Sequence, residues 1–208
     1  MILDAADAAR CVAAGGVIGI PTDTVYGLAC DPRNADAVER IYAIKRRPAG
    51  MELSLLGSSV EDLAACGEMG ERARRLAAAF WPGALSVIVP VRTEAGLAVP
   101  RAGTTISLRV PAHPGLLELL RSTGVLATTS ANRHGRPAAV DAAGCEADLG
   151  GDVDGVVDGG ASAGRGSTII DLTTAVPCLL RTGPVSADAL RPHLGEAPLP
   201  PPPPPVGT

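Results

Sequence analysis

The alternation of apolar and polar residues along this chain predicts short buried strands separated by amphipathic helices. Strands are predicted where runs of mostly apolar residues stand between Gly, Pro or Asn residues. These runs lie at 17–20, 53–56, 85–91, 105–111 and 125–132, with further short ones between residues 155 and 183. Helical spacing of apolar residues predicts helices at 4–14, 34–45, 59–65, 70–80 and 113–124. Because the two kinds of element mix without a strict βαβ order, we predict an α/β fold with a mixed sheet.

The predicted helix at 34–45 carries an unusual residue at the end of its buried face. Asn34 can cap this helix, and Val38, Ile41 and Lys45 share one side of it. Lys45 is the only lysine of the chain, beside many arginines. A buried cation needs partners, and lysine is a compact point charge rather than a planar fork. We therefore interpret Lys45 as a position that requires lysine, although a GC-rich genome would also explain a single lysine.

Composition limits the classes of protein to which the chain can belong. Hydrophobic residues make up 46% of the sequence and aromatic residues 2%, so the core must consist of Val, Ile, Leu and Ala. A net charge of -4 gives no overall electrostatic signature of nucleic-acid binding. The five cysteines form no CxxC pair, which favours free thiols in a reducing compartment over zinc or disulfides. Without a signal peptide or an apolar run of ~18 residues, we expect a cytoplasmic protein that does not contact a membrane.

The chain divides into two regions of different composition. Residues 1–195 carry the predicted strands and helices and are expected to form one domain. Residues 196–208 are rich in proline, which favours polyproline II geometry and cannot form a packed core. We therefore expect a disordered tail after residue 195.

Two common catalytic motifs can be compared with the sequence directly. A P-loop needs G-x-x-x-x-G-K-[ST], but the only lysine follows Ile44, so this motif does not occur. Residues 160–164 match G-x-S-x-G, and Asp171 and His193 follow in the order of a hydrolase triad. That motif requires a helix after the serine, whereas a predicted strand follows here. A Gly/Ser/Ala turn is therefore the better interpretation.

Small hydroxyl and basic side chains gather at the ends of the predicted strands, where α/β sheets often bind ligands. The basic residues are Lys45, Arg47, Arg109 and Arg181. The hydroxyl and amide residues are Thr22, Thr24, Thr105, Thr128, Ser130, Asn132, Ser167 and Thr168. Such a set suits a polyanion beside a second polar ligand, for example a nucleoside triphosphate beside an amino acid. In the competing interpretation, Lys45 and Arg47 complement a helix dipole and the hydroxyl residues belong to ordinary caps and turns.

Six segments, in order along the chain, resemble the threonylcarbamoyl-AMP synthase family, which has the YrdC-like fold. The segments are GGVIGIPTDTVYGLACDP, IYAIKRRP, WPGALSVIVP, ISLRVPAHP, TTSANRHGRP and GSTIIDLT with LLRTG. The most specific parts are the PT-x-T-V-Y-G-L loop, the K-x-R pair and the S-x-N triplet. The resemblance implies a twisted mixed sheet with flanking helices around a concave positive cavity. Residues 1–195 would then form a YrdC-like catalytic domain.

The resemblance also implies an activity. Members of the family are nucleotidyltransferases that make threonylcarbamoyl-AMP and pyrophosphate from ATP, L-threonine and bicarbonate. A downstream transferase complex then passes the threonylcarbamoyl group to tRNA, so tRNA is expected as an indirect partner, while direct RNA binding stays open. ATP is a substrate, Mg²⁺ is expected to arrive with the nucleotide, and no metal site of the protein itself is expected. The chain resembles the short form of the family, which lacks an extra C-terminal domain.

Site residues are carried over from the family one by one. Those expected to bind ATP are Lys45, Arg47, Thr105, Ser130, Asn132 and Arg181, with Lys45 and Arg47 also in the catalytic role. Those expected to bind L-threonine are Thr24, Arg109, Thr128 and Thr168. Arg109 would pair with the threonine carboxylate. Lys45 would be a mobile ammonium that follows the charge of the triphosphate, and Arg47 a fixed bidentate contact.

The sequence departs from the family pattern shortly after the K-x-R pair. Many members have a polar residue, Pro-Leu and a histidine there, whereas this chain has Met51, Glu52 and Leu56. Ala138 likewise replaces a common hydroxyl residue. Two other functions remain open. One is a carbamoyl-transfer domain that makes carbamoyl-adenylate from carbamoyl phosphate, and the other is an RNA-binding module of the same fold, which the charge and the few aromatic residues argue against.

Overall fold

The computed structural model describes residues 1–46, 48, 51–99 and 103–200, so that Arg47 lies outside the described residues. Within these ranges the strands are β1 (Ile2–Leu3), β2 (Ile18–Ile20), β3 (Gly27–Cys30), β4 (Ser54–Leu56), β5 (Leu85–Pro90), β6 (Thr105–Arg109), β7 (Leu126–Ser130), β8 (Gly155–Val157), β9 (Thr168–Asp171) and β10 (Cys178–Arg181). The helices are α1 (Ala5–Ala13), α2 (Ala35–Lys45), α3 (Val60–Ala64), α4 (Glu71–Phe80), α5 (Pro114–Thr123), α6 (Ala142–Leu149) and α7 (Ala187–Leu190). Two 3₁₀ turns lie at Thr93–Ala95 and Arg191–His193.

The strands of the described residues form one mixed sheet in the order β1-β8-β2-β3-β7-β4-β6-β5-β9-β10. β4 lies between β6, to which it is parallel, and β7, to which it is antiparallel. β5 likewise pairs antiparallel with β6 and parallel with β9. The predicted mixed α/β sheet is therefore confirmed.

Helices cover both faces of this sheet, but unequally. On one face, Leu55, Leu108 and Ala127 belong to the main core cluster together with residues of α2, α3 and α4. On the other face, α1 and α5 pack over β2, β3 and β7 in a second cluster. This second cluster reaches only to Leu56 of β4 and Leu126 of β7. The same face of the strands beyond them borders a cavity.

Side-chain caps begin α1 and α2, and the cap at Asn34 is as predicted. Asp4 accepts the backbone N–H of Asp7 at 2.8 Å, and Asn34 accepts that of Ala37 at 3.0 Å. At the other end of α2, Arg46 adopts a left-handed conformation with a φ of 51°. Lys45 is therefore the last helical residue, and the chain turns directly after it.

Four elements are not predicted from the pattern, namely β1, β3, α6 and α7. All residues of β3 are buried, so it shows no alternation of apolar and polar positions. The sequence of α6, AAGCEADL, consists largely of small residues, so the stripe that it buries, Ala142, Cys145 and Leu149, is only weakly apolar. The other two elements have two and four residues, which is too short to show a period.

The segment after residue 195 begins packed against the domain. Leu199 is 4% exposed and belongs to the main core cluster. Its carbonyl accepts a hydrogen bond from Arg191 at 3.2 Å. The folded part therefore extends beyond the expected boundary, at least to Leu199, while residues 201–208 lie outside the described residues.

All five cysteines are free, as predicted. Burial raises the pKa of Cys30 to about 12 and that of Cys145 to about 11. Both thiols therefore stay protonated at neutral pH and are poor nucleophiles. Separately, the described part of the chain contains no helix with the length and apolarity needed to cross a membrane.

Candidate functional site

A cavity of about 720 Å³ lies over the part of the sheet next to the α1 and α5 layer. Alternate residues of five strands form its floor. They are Ser54 and Leu56 of β4, Ser86 and Ile88 of β5, Thr105, Ser107 and Arg109 of β6, Thr128 and Ser130 of β7, and Ile169 and Asp171 of β9. Successive strand residues point to opposite faces, so the residues between them can pack in the core. The predicted site residues thus lie across the face of the sheet, not only at the strand ends.

At one end of the cavity, the loop after β7 holds the ammonium of Lys45, which is 1% exposed. Its Nζ donates to the carbonyl oxygen of Ser130 at 2.5 Å. It also donates to the carbonyl and side-chain oxygens of Asn132 at 2.7 and 2.8 Å. The hydroxyl of Ser130 donates to the same side-chain oxygen at 2.6 Å. The lysine of the K-x-R pair and the S-x-N triplet are therefore one hydrogen-bonded unit.

This unit explains why position 45 holds a lysine. An ammonium has three donors that can rotate toward three oxygens of one tight loop, whereas the arginine fork is rigid and planar. The geometry differs from the predicted mobile ammonium, because Lys45 anchors the loop here. A ligand that recruits Lys45 must replace at least one of these acceptors.

At the other end, Arg109 is buried in the floor and oriented by three acceptors. Its Nε donates to the carbonyl of Gly83 at 2.8 Å, one terminal nitrogen donates to Thr24 Oγ1 at 2.9 Å, and the other pairs with Asp23. Burial lowers the pKa of Arg109, the charge of Asp23 opposes this, and Arg181 adds to the lowering. A guanidinium has five N–H donors, so two remain for a carboxylate or phosphate of a ligand.

A hydrogen bond to Thr22 leaves the Thr24 hydroxyl oxygen as an acceptor for Arg109. Thr22 Oγ1 donates to the carbonyl of Val25 at 2.7 Å and lies 2.9 Å from Thr24 Oγ1. A hydroxyl has a single proton, so Thr24 is the donor of that pair and the acceptor for Arg109. The loop that contains the P-T-D-T sequence therefore orients the guanidinium from two sides, through Thr24 and Asp23.

A third cation, Arg181, reaches the cavity from the edge strand β10. A β-bulge between Leu179 and Arg181 shifts the register with β9. Leu179 consequently packs in the core while Arg181 lines the cavity. The guanidinium donates to the carbonyl and hydroxyl of Ser167 at 2.8 and 3.0 Å. A Cβ at Gly166 would lie only 3.1 Å from the guanidinium carbon, so glycine lets Arg181 lie across this loop.

The cavity brings together most of the predicted site residues. They are Thr24, Lys45, Thr105, Arg109, Thr128, Ser130, Asn132 and Arg181. The prediction for Arg47 lies outside the described residues. Thr168 is fully buried, and its hydroxyl donates to the carbonyl of Val185 at 2.7 Å while accepting the N–H groups of Gly183 and Val185. Thr168 thus opens β9 with its hydroxyl bonded to the turn before α7, and its neighbour Ser167 lines the cavity instead.

Three hydroxyl residues of the floor are missing from the predicted set, namely Ser54, Ser86 and Ser107. Each stands in a strand beside apolar residues, at a position that alternates with the core. A polar residue that recurs at every second position of an apolar strand indicates a polar face. This signal could have located the floor from the sequence.

Residues at which the sequence departs from the family pattern also line the cavity. Met51 and Glu52 lie in its wall, and Asp171 is a second carboxylate there. Asp171 accepts hydrogen bonds from the N–H and hydroxyl of Thr173 at 2.8 and 2.6 Å. In the described ranges, no group of three or more His, Cys, Asp or Glu side chains is placed to hold a metal ion.

The G-x-S-x-G match at 160–164 lies in a loop that contains no helix. Ser162 donates its proton to the carbonyl of Thr22 at 2.6 Å. The segment is therefore a loop without the helix that the hydrolase motif requires after its serine.

Known proteins share these sequence features. The model of the Sua5/YciO/YrdC family, described as "Telomere recombination", matches residues 10–183. A putative threonylcarbamoyl-AMP synthase of Mycobacterium tuberculosis is 40% identical over 188 residues, which cover 88% of this chain and 86% of that protein. The threonylcarbamoyl-AMP synthase of Bacillus subtilis is 37% identical over 196 residues, which cover 91% of this chain and 56% of that protein.

Solved structures show the same architecture. The crystal structure of Sua5 from Pyrococcus abyssi complexed with L-threonine matches with a TM-score of 0.83 and 34% identity. This match covers 92% of the chain but 57% of the Pyrococcus chain. Escherichia coli YciO matches with a TM-score of 0.81 and 29% identity, over 89% of this chain and 92% of YciO. From the family model and the 40% identical relative, we conclude that the chain belongs to the Sua5/YciO/YrdC family of threonylcarbamoyl-AMP synthases and their relatives.

Proposed function

We propose that this protein is an L-threonylcarbamoyladenylate synthase, which makes threonylcarbamoyl-AMP and pyrophosphate from ATP, L-threonine and bicarbonate. The observation that carries the proposal is the pairing, in one cavity, of the Lys45 unit with a buried Arg109 that has two N–H donors to spare. The names of the relatives, and the Sua5 structure with L-threonine, support this choice of substrates.

ATP is assigned to the end of the cavity that contains Lys45. Phosphate oxygens bind best to ammonium, guanidinium and hydroxyl donors. In this proposal the triphosphate contacts Lys45 and Ser130, with further donors from the remaining residues of the set. These are Asn132, Thr105, Arg181 and, on the strength of the K-x-R motif, Arg47.

L-Threonine is assigned to the opposite end. The two remaining N–H donors of Arg109 bind its carboxylate, and Thr24 and Thr128 line the wall beside it. In place of Thr168, the proposal includes Ser167, because Ser167 lines the cavity. The amine of threonine then points along the floor toward the nucleotide.

The reaction itself needs positioning and charge stabilisation. The neutral amine of threonine forms a C–N bond with bicarbonate, and the hydroxide that leaves takes the amine proton to give water and a carbamate. A carbamate oxygen then attacks the α-phosphorus of ATP in line, and the bond to the β-phosphate oxygen breaks, which releases pyrophosphate. Arg109 holds one substrate in place, while Lys45 and Arg181 stabilise negative charge. No covalent intermediate with the protein is required.

Mg²⁺ enters with the nucleotide in this proposal. Protein-bound Mg²⁺ usually keeps several waters and bonds to substrate phosphates and one or two carboxylates. Glu52 and Asp171 line the cavity and are of the right chemical type. The product is a reactive mixed anhydride, and we assign its consumption to a tRNA threonylcarbamoyl transferase complex in the cytoplasm, with tRNA contacted indirectly.

The test is pyrophosphate release from ATP by the purified protein, with L-threonine and bicarbonate added together and singly. We expect release only with both, threonylcarbamoyl-AMP in the mass spectrum, and loss of both signals in Lys45→Ala. Release that needs carbamoyl phosphate instead would identify a carbamoyl-adenylate-forming enzyme. Salt-dependent RNA binding without any release would identify an RNA-binding module. Either result would overturn the proposal.

A further inference from the structure

One hydroxyl in the cavity floor has no role in these substrate assignments. Among the residues that the structure describes, Ser107 Oγ is the one buried side-chain polar atom without a hydrogen-bond partner. Buried polar groups are nearly always paired, and an unpaired one destabilises the fold. An unpaired hydroxyl on a cavity floor is therefore a group that a ligand can satisfy.

Ser107 lies between the two ends of the cavity that are assigned to substrates. It stands in the middle of β6, on the same face as Thr105 and Arg109. Residues two positions apart on a strand are separated by about 7 Å. Ser107 therefore faces the region between the nucleotide end, marked by Thr105, and the threonine carboxylate, marked by Arg109.

The neighbours of Ser107 across the sheet favour a small anion. Its partners on the adjacent strands are Ser54 and Ile88. The nearest carboxylate in this row, Asp171, stands one strand further, opposite Ile88, and one of its oxygens is bonded to Thr173. Arg109 stands two residues along β6 on the same face, and Arg181 is close enough to Arg109 to interact with it electrostatically. A hydroxyl donor beside positive charge is typical of sites for carboxylate-like groups.

We propose that Ser107 belongs to the subsite for bicarbonate, the third substrate of the proposed function on which this inference rests. Its hydroxyl donates a hydrogen bond first to bicarbonate and then to the carbamate oxygen. Ser107 Oγ is shielded from solvent although the residue lines the cavity. A rotation about χ1 between staggered positions turns the hydroxyl toward the anion. Ser107 keeps its proton throughout, since amine and bicarbonate alone supply the atoms of the carbamate and the water.

The experiment compares Ser107→Ala with the wild type by pyrophosphate release in CO₂-depleted buffer to which bicarbonate is added stepwise. Loss of one hydrogen bond to an anion should raise the KM for bicarbonate about 10- to 100-fold. The KM values for ATP and L-threonine should change little. Ser107→Thr keeps the hydroxyl and should restore most of the wild-type value. Ser122→Ala is the matched control, because Ser122 is an exposed serine of α5 that does not line the cavity.

A thermal melt without substrates separates this role from a structural one. Ser107→Ala removes an unpaired buried hydroxyl, so its melting temperature should equal or exceed that of the wild type. An unchanged KM for bicarbonate in an active enzyme, or a rise confined to the KM for ATP, would overturn the inference alone. A wild type that releases no pyrophosphate would overturn the proposed function and this inference with it.

Discussion

The two ends of the cavity hold their cations in different ways. Lys45 gives three N–H donors to oxygens of one short loop, those of Ser130 and Asn132. Arg109 gives three of its five donors to the carbonyl of Gly83, the hydroxyl of Thr24 and the carboxylate of Asp23. Only the carboxylate is charged. The arginine thus keeps two donors for a ligand, whereas the lysine must exchange a partner.

This difference assigns different tasks to the two ends. A preformed donor pair binds its ligand at a low cost in reorganisation. A tethered ammonium instead couples ligand binding to the conformation of the loop that tethers it. We therefore expect changes at Arg109 to act on substrate binding and changes at Lys45 to act on the stability of the fold as well.

The largest effect is expected for Lys45→Met, which removes the donors but keeps most of the side-chain volume. Three oxygens lose a charged donor, and the Asn132 carbonyl loses the one donor that it has in the described residues, so the free energy of unfolding should fall by ~3 kcal/mol. Urea denaturation of the substrate-free protein measures this. Ala43→Met, at an exposed position of the same helix, is the control and should change it by less than ~0.5 kcal/mol. Equal stability of Lys45→Met and wild type would mean that the lysine is not an anchor.

Arg109→Lys should have the next largest effect, and this effect should concern threonine. The ammonium keeps the charge beside Asp23 but cannot contact three acceptors and a carboxylate together. We expect kcat/KM for L-threonine to fall about 100-fold, as for the loss of two hydrogen bonds to charged groups. Steady-state pyrophosphate release measures it, with Arg121→Lys on α5 as the control. A fall that appears only when ATP is limiting would reverse the assignment of the two ends.

Asp23→Asn tests how much the binding of L-threonine by Arg109 depends on the negative charge of Asp23. The amide oxygen can still accept a hydrogen bond, but the guanidinium loses its counter-charge. We expect the KM for L-threonine to rise about tenfold, since hydrogen bonds to charged groups are the stronger ones. The KM for ATP should stay constant, and the exposed Asp36→Asn should behave as wild type. An equal rise for both substrates would show that Asp23 acts on the whole cavity.

The smallest effect is expected for Ser130→Ala. This change removes the hydroxyl that bonds to Asn132, but it leaves the Ser130 carbonyl that accepts from Lys45. The free energy of unfolding should fall by ~1 kcal/mol, the typical contribution of one hydrogen bond. Ser122→Ala again serves as the control in the same urea titration. A loss of unfolding free energy as large as that of Lys45→Met would mean that the Ser130–Asn132 side-chain hydrogen bond, and not Lys45, holds the loop.

The sequence predicts the fold best where periodicity is strong. The start of α2 follows from Asn34 and the apolar stripe of the helix, and β5 and β6 follow from runs of mostly apolar residues. β3 is not predicted because a strand buried on both faces shows no alternation, and α6 is not predicted because its buried stripe of mostly small residues contrasts little with the rest of the helix. Amino-acid composition and capping residues cannot replace a hydrophobic period as a sign of these two elements.

The candidate site is predictable as a set of residue types but not as a geometry. Whether Ser167 or Thr168 faces the cavity depends on the orientation of β9, which its pairing with β5 sets. The anchoring role of Lys45 depends on β7 lying beside β3, a pairing of segments about a hundred residues apart. Such long-range pairings leave no local trace in the sequence.

The order of the strands has a consequence for how the cavity is assembled. β4 stands between β6 and β7, both of which follow it in the chain, and β5 gains its parallel partner only with β9. During synthesis β4 and β5 can therefore pair fully only after later strands have been made. Such non-local pairing slows folding. The floor is complete only once residue 171 has joined the sheet. Substrate binding by nascent or truncated chains would consequently report the last step of folding, since chains that end before residue 171 contain Lys45 and Arg109 but not the complete surface that aligns them.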